Sequence, residues 1–87
     1  MHKYLFIKAE RYKQNKQFIK AKEAYLNALS LAKLHGYLHH EAMIAESLAD
    51  MYTFMNHPNA SNKFLQTAIQ AYENWGAMAK VDLLKTR

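Results

Sequence analysis

The fold of this chain is decided by residues 9–36, which read AERYKQNKQFIKAKEAYLNALSLAKLHG. From Phe18 onwards, apolar and small residues recur every three or four positions, a spacing that places their side chains on one face of an α-helix. They are Phe18, Ala21, Tyr25, Ala28, Leu29 and Ala32. The pattern predicts an amphipathic helix that ends near Gly36, because glycine readily adopts the left-handed conformation common at helix ends.

Similar stripes lie on both sides of this helix. Those downstream comprise Ala42, Ala45, Leu48, Ala49 and Tyr52, and then Phe64, Leu65, Ala68, Tyr72 and Trp75. Shorter stripes open the chain at Leu5, Ala9 and Tyr12 and close it at Ala79, Leu83 and Leu84. Pro58 interrupts the pattern, because proline lacks an amide hydrogen and restricts the residue before it. The stripes predict five helices over roughly residues 2–14, 17–35, 38–55, 60–75 and 77–84, with Trp75 packed in the core or between repeats.

The composition excludes several classes of site. The chain has two glycines, one proline and no cysteine. Without cysteine it has no disulfides, thiolate nucleophiles or Cys-based metal centres, and we expect a reducing, cytoplasmic location. The longest uncharged apolar run is far shorter than the roughly 18 residues that span a bilayer, so no membrane association is expected.

The net charge of +5 is concentrated in the first half of the chain. Residues 1–35 contain eight Lys or Arg against two acids, whereas residues 36–87 contain four against five. Lysines interleaved with aromatic residues are typical of nucleic-acid surfaces, so a nucleic-acid-binding module that uses the basic first hairpin is the alternative function. Helical phase scatters these charges around two helices, which favours ordinary solvated faces instead.

The two halves of the chain are related by an internal repeat. Gly36 and Gly76 lie 40 residues apart. At the same offset, Ala9 matches Ala49, Tyr12 matches Tyr52, Ala21 matches Ser61, Tyr25 matches Leu65 and Ala28 matches Ala68. Small residues recur because helices approach closely only where side chains are short. One domain, residues 1–87, is therefore predicted to contain two antiparallel helical hairpins over about 2–36 and 38–76 and a closing helix over about 77–84.

The pattern Ala9-Tyr12-Ala21-Tyr25-Ala28 resembles the signature of a tetratricopeptide repeat. In its second copy, Leu65 occupies the usual aromatic position. The repeat is longer than the usual spacing of about 34 residues, and the proline expected near its end is missing. The resemblance implies an all-α solenoid of the longer-helix kind, which binds proteins or neighbouring domains and has neither catalytic residues nor a cofactor.

A narrower resemblance covers about residues 21–84 and centres on Tyr72-x-x-Trp75-Gly76-Ala77-x-Ala79-Lys80-Val81. This segment is similar to the helical connector of large bacterial multidomain signalling proteins, in which kinase-like and predicted ATPase domains precede it and sensor and histidine-kinase domains follow. The resemblance implies a scaffold within, or derived from, a bacterial signal-transduction protein. The chain is then either a fragment of a longer protein or a separate short protein.

The resemblance also implies a partner-binding surface on the first helix of each repeat. Its residues are Lys3, Phe6, Glu10, Lys13, Met43, Glu46, Asp50 and Thr53. The basic residues that clamp a terminal carboxylate in chaperone-binding relatives are missing. A mixed-charge groove for a helical or extended protein segment is therefore expected.

Two clusters of polar residues contain the residue types found in metal sites or catalytic sites. His35, His39 and His40 have spacings that occur in metal sites, but Gly36 breaks the helix between them and cysteine is lacking, so we expect exposed loop histidines. Glu10, Glu46 and Asp50 resemble paired catalytic carboxylates only in residue type, and helix surfaces commonly carry such acids. The sequence thus predicts neither a metal site nor an enzyme.

The two ends of the chain are unusually apolar. The closing segment contains Met78, Val81, Leu83 and Leu84, and the opening one contains Tyr4, Leu5, Phe6 and Ile7. Because stable solenoids need about three repeats and polar end caps, we expect these helices to be covered by a partner, with a symmetric homodimer as the simplest closed arrangement.

Overall fold

The computed structural model describes residues 2–86, with side chains described from Tyr4 to Thr86. Five helices occupy this range: α1 His2–Gln14, α2 Phe18–Leu34, α3 Leu38–Phe54, α4 Pro58–Trp75 and α5 Met78–Lys85. Residues 2–86 contain no β-strand. The all-α class and the five helices are therefore confirmed, and no boundary differs from its prediction by more than two residues.

Each helix packs against the next one along the chain. The Cα atoms fill a flat volume of 32 × 29 × 16 Å. The small residues of the repeat pattern lie inside it: Ala9, Ala21, Ala28 and Ala68 have no exposed surface, and Ala49 is 1% exposed. Larger side chains fill the space between these close approaches, among them Tyr25, Ile44, Leu48, Met51, Val81 and Leu84. Alternation of small and large residues lets neighbouring helices interlock.

The four turns between helices have the same backbone geometry. A residue with positive φ recurs every 20 positions, at Lys16, Gly36, Asn56 and Gly76. The next amide donates to the carbonyl five residues earlier, in the pairs Gln17–Tyr12 (2.8 Å), Tyr37–Ala32 (2.9 Å), His57–Tyr52 (2.9 Å) and Ala77–Tyr72 (2.9 Å). This hydrogen bond satisfies a carbonyl at the helix end and identifies the Schellman motif. The backbone thus repeats with one helix and one turn every 20 residues.

Pro58 and Trp75 are placed differently from what the sequence pattern predicts. The fourth helix begins at Pro58, because proline is favoured in the first turn of a helix, where its missing amide hydrogen has no intrahelical partner to lose. Trp75 lies outside the core and is 50% exposed. Its ring stacks on His39, with centroids 4.4 Å apart, so it connects the end of α4 to the start of α3.

Lys16→Gly should stabilise the protein. Lys16 adopts φ = 61°, a conformation that costs a side-chain-bearing residue about 1–2 kcal/mol. Glycine removes that strain but has greater freedom in the unfolded chain, so the expected gain in the free energy of unfolding is about 0.5–1 kcal/mol. Urea denaturation followed by circular dichroism measures it. The matched control is Asn15→Gly, where φ is not positive and glycine should be destabilising. Equal effects of both changes would show that the positive φ of Lys16 causes no strain.

Candidate interaction surface

Polar side chains connect α1, α3 and α5 through direct contacts. Ser47 Oγ donates to Glu10 Oε1 at 3.3 Å, which joins α3 to α1. Lys80 Nζ lies 3.3 Å from Glu46 Oε2, which joins α5 to α3. We call the surface formed by Glu10, Lys13, Glu46, Ser47, Asp50 and Lys80 the polar seam. Its contacts link alternate helices of the chain, at sequence separations that local patterns do not reveal.

Each acid of the polar seam has its own surroundings. Glu10 also pairs with Lys13, whose Nζ lies 3.5 Å from Oε2. Glu46 accepts a hydrogen bond from the Tyr72 hydroxyl at 2.9 Å in addition to its ion pair with Lys80. Asp50 is exposed and lies one helical turn beyond Glu46. Side chains from four helices therefore meet along the seam, with cations and carboxylates interspersed.

The predicted partner-binding residues do not all lie on one surface. Glu10, Lys13, Glu46 and Asp50 lie on the polar seam, whereas the side chain of Lys3 is outside the described residues. Phe6 and Met43 are half-buried. Thr53 is directed toward α4: its hydroxyl donates to the Ala49 carbonyl at 3.0 Å and lies 2.5 Å from the Ser61 hydroxyl.

A pocket lies beside the polar seam, near the ends of α1 and α3. It is lined by Lys13, Gln14, Lys16, Phe18, Asp50, Met51 and Phe54, and we call it the aromatic pocket. The rings of Phe18 and Phe54 are 5.7 Å apart. Phe54 is 70% exposed, although it lies in a packed helix. Sequence reasoning missed Phe54; the signal was its position one turn after Asp50, on the side of α3 that carries the seam.

The hydroxyl group of Tyr25 is a polar group inside the protein, next to the polar seam. Its side chain is fully buried, and its hydroxyl has no hydrogen-bond partner among the described residues. Burial is the main cause that raises the pKa of Tyr25, and the nearby carboxylates of Glu10 and Asp50 raise it further. The hydroxyl is therefore neutral at physiological pH. The pKa of Tyr72 is also raised, by burial and by its hydrogen bond to Glu46.

The histidines pack with aromatic residues at the other end of the helices. His39 and His40 belong to α3, and their rings lie 5.7 Å apart while His39 also stacks on Trp75. Tyr37 contacts both His35 and His40. The prediction that these histidines lie in a loop is therefore wrong for His39 and His40. Within residues 2–86, no group of three or more His, Asp or Glu side chains is arranged to hold a metal ion.

In the basic first half of the chain, the aromatic ring of Tyr12 contacts lysine side chains of the same protein. The Nζ atoms of Lys8 and Lys20 lie 5.8 and 5.9 Å from the centre of the Tyr12 ring. Such cation–π contacts are favourable within a protein surface. They also place lysine side chains over a ring that a nucleic-acid base would need to reach for stacking.

Comparisons of the chain with protein-family models, with curated protein sequences and with solved structures give no match. Across the described residues, no helix combines the length and the apolar character that a bilayer crossing requires.

Glu46→Lys should destabilise the fold rather than act as a simple surface change. The substitution removes the acceptor of the Tyr72 hydroxyl and places a second cation beside Lys80. Loss of a partner by a buried hydroxyl costs about 1–3 kcal/mol. Urea denaturation measures the difference. Glu23→Lys makes the same change of charge at an exposed position of α2 and is the control, which should change stability by less than about 0.5 kcal/mol; a Glu46→Lys protein as stable as this control would show that the contacts of Glu46 with Tyr72 and Lys80 contribute nothing.

Tyr25→Phe and Tyr72→Phe should reduce the loss of stability at alkaline pH. Both pKa values are raised in the folded state, so above pH about 10 the unfolded chain releases protons that the folded chain retains. The free energy of unfolding is therefore unaffected by these two groups below that pH. Above it, the free energy of unfolding falls by up to about 1.4 kcal/mol per pH unit for each tyrosine. Urea denaturation between about pH 9 and 11.5 measures the slope. Tyr4→Phe, at an exposed position, is the matched control; identical slopes in the parent and Tyr25→Phe proteins would contradict the prediction.

Proposed function

We propose that this chain is a tetratricopeptide-like interaction module that holds a protein segment or a neighbouring domain along the polar seam and its aromatic pocket. In this arrangement α1, α3 and α5 are the first helices of successive hairpins, and α2 and α4 are the second helices. The 20-residue repetition of helix and turn supports this assignment, as do the buried small residues at the expected positions. The observation that carries the proposal is the direct contact of alternate helices through Glu10–Ser47 and Glu46–Lys80.

The surface suits a protein segment with both polar and apolar side chains. Exposed aromatic residues beside polar groups are typical anchors of protein interfaces, because they bury a large area with little loss of side-chain freedom. Phe54 and Phe18 provide such an anchor at one end of the seam. The carboxylates and lysines along the seam provide hydrogen bonds and fix the register of an extended segment.

The terminal helices favour a position inside a longer assembly. Tyr4 and Ile7 on α1 are 63% and 56% exposed, and Met78 and Leu83 on α5 are 54% and 60% exposed. Exposed apolar side chains at solenoid ends are normally covered by further helices. We propose that adjoining helices of a bacterial multidomain signalling protein cover them, consistent with a connector role. A second copy of the chain is the other solution, and sedimentation of the isolated chain and of Leu83→Glu distinguishes a monomer from a homodimer.

Selection of peptides that bind the chain, followed by mapping of their footprint with amide chemical shifts, tests the interaction proposal. We expect changes at residues of the polar seam and the aromatic pocket, and at least tenfold weaker binding by Phe54→Ser, since an interface anchor contributes about 2 kcal/mol or more. Ile19→Ser is the matched control, because Ile19 is 78% exposed on α2. A footprint confined to α2 and α4 would overturn the proposal.

The same protein can be titrated with single-stranded RNA and DNA at several salt concentrations. The interaction proposal predicts little binding at physiological salt. Tight binding that falls steeply with salt would instead support the alternative, a nucleic-acid-binding module that uses the basic residues of α1 and α2.

A further inference from the structure

Lys16 is a lysine at a position whose backbone conformation favours glycine or asparagine. Its φ is 61°, and the equivalent positions of the other three turns carry Gly36, Asn56 and Gly76. The left-handed conformation is strained for lysine, and strained residues in proteins tend to occur at functional positions. The backbone of the turn does not explain this lysine, so we expect its side chain to have a role outside the turn.

The side chain of Lys16 lines the aromatic pocket together with two other charged residues, Lys13 and Asp50. Lys13 is paired with Glu10 at 3.5 Å, and Asp50 also has an interaction within the protein. Lys16 is exposed and forms no salt bridge with any described residue. Its ammonium group is therefore the charge beside the pocket that is available to a partner.

The apolar part of the pocket is formed by two aromatic rings and a thioether. The rings of Phe18 and Phe54 have centroids 5.7 Å apart and are inclined by 47°, and the buried Met51 lines the same cavity of about 350 Å³. Aromatic rings prefer tilted or offset contacts with centroids about 4.5–7 Å apart, and sulfur atoms also contact rings favourably. A third aromatic ring, supplied by a partner, therefore suits this pocket.

The charges near the pocket favour an acidic partner. The last turn of α1, directly before Lys16, carries Arg11 and Lys13, and residues 1–35 contain eight Lys or Arg against two acids. Complementary charges across an interface speed association and fix the register of the bound segment. Because Lys16 lines the pocket, a carboxylate next to a bound aromatic ring lies close to its ammonium group.

We propose that the aromatic pocket binds an aromatic side chain of the partner segment, and that Lys16 pairs with an acidic residue adjacent to it in that segment. This inference rests on the proposed function and specifies two neighbouring residues of the bound segment. Lysine occupies this turn, in place of glycine, because of this contact.

Titration with N-acetyl-Phe-Glu amide, followed by amide chemical shifts, tests the site directly. Saturable shifts are expected at Lys16, Phe18 and Phe54. N-acetyl-Phe-Gln amide has nearly the same shape without the charge and should bind about two- to fivefold more weakly, the range for an exposed ion pair. N-acetyl-Phe-Lys amide, which reverses the charge, should bind more weakly still. Equal affinity for the Phe-Glu and Phe-Lys peptides, or shifts elsewhere alone, would overturn the inference.

Exchange of charge tests the pairing with Lys16. Lys16→Glu should bind N-acetyl-Phe-Lys amide more tightly than N-acetyl-Phe-Glu amide, the reverse of the order for the parent protein. Lys22→Glu makes the same change at an exposed position of α2 outside the pocket, and it should keep the order of the parent protein. The parent order in Lys16→Glu would contradict the pairing.

Lys16→Gly separates recognition from stability. This variant should raise the urea midpoint, because glycine relieves the strain of the positive φ, and yet weaken binding of N-acetyl-Phe-Glu amide about two- to fivefold. Weaker binding by a more stable protein cannot result from unfolding. Unchanged binding by Lys16→Gly would show that the lysine side chain does not take part in recognition.

The selected peptides distinguish failure of the inference from failure of the proposed function. Replacement of the acid beside the aromatic residue by its amide should weaken binding of such a peptide to the parent protein and leave its binding to Lys16→Gly unchanged. Peptides that bind the polar seam with no acid beside an aromatic residue would leave the interaction function intact and reject the inference. A footprint confined to α2 and α4 would reject the interaction surface itself.

Discussion

A left-handed residue at every twentieth position is the constraint on which the rest of this structure depends. At Lys16, Gly36, Asn56 and Gly76 the same turn ends a helix and leads into the next one with the same amide-to-carbonyl hydrogen bond. Side chains of alternate helices also meet in the polar seam, where the neighbours Ser47 and Glu10 are 37 residues apart in the sequence.

One part of the polar seam connects helices to one another, and another part is exposed to solvent. Glu46 accepts a hydrogen bond from the Tyr72 hydroxyl and forms an ion pair with Lys80. These contacts hold α3, α4 and α5 in their relative positions. Asp50 and Phe54, one and two turns further along α3, are exposed instead. The end of the seam near Asp50 and Phe54 is its open end, and the proposed partner segment binds there.

A local rule of stability is broken at that open end, because the side chain of Phe54 is largely exposed there. Violations of this kind tend to occur at functional positions, because a bound partner can satisfy what the isolated chain does not. Ile19 and Leu34 are also exposed, but they lie on α2, which contributes Phe18 to the aromatic pocket but no residue to the polar seam.

The helices and the close contacts between them were determined by local sequence. Apolar spacing and the positions of Gly36 and Gly76 predict five helices, and the alanines of the repeat pattern are buried as expected. Helix periodicity and capping depend on residues within a few positions of each other, so they can be read without a structure. The positive φ angles of Lys16 and Asn56 are not predicted by the sequence, because lysine and asparagine adopt this conformation less readily than glycine and the turn imposes it on them. The hydrogen bonds of Glu46, the stacking of His39 on Trp75 and the isolation of the Tyr25 hydroxyl were decided by tertiary structure alone, since each depends on how separate helices are oriented toward one another.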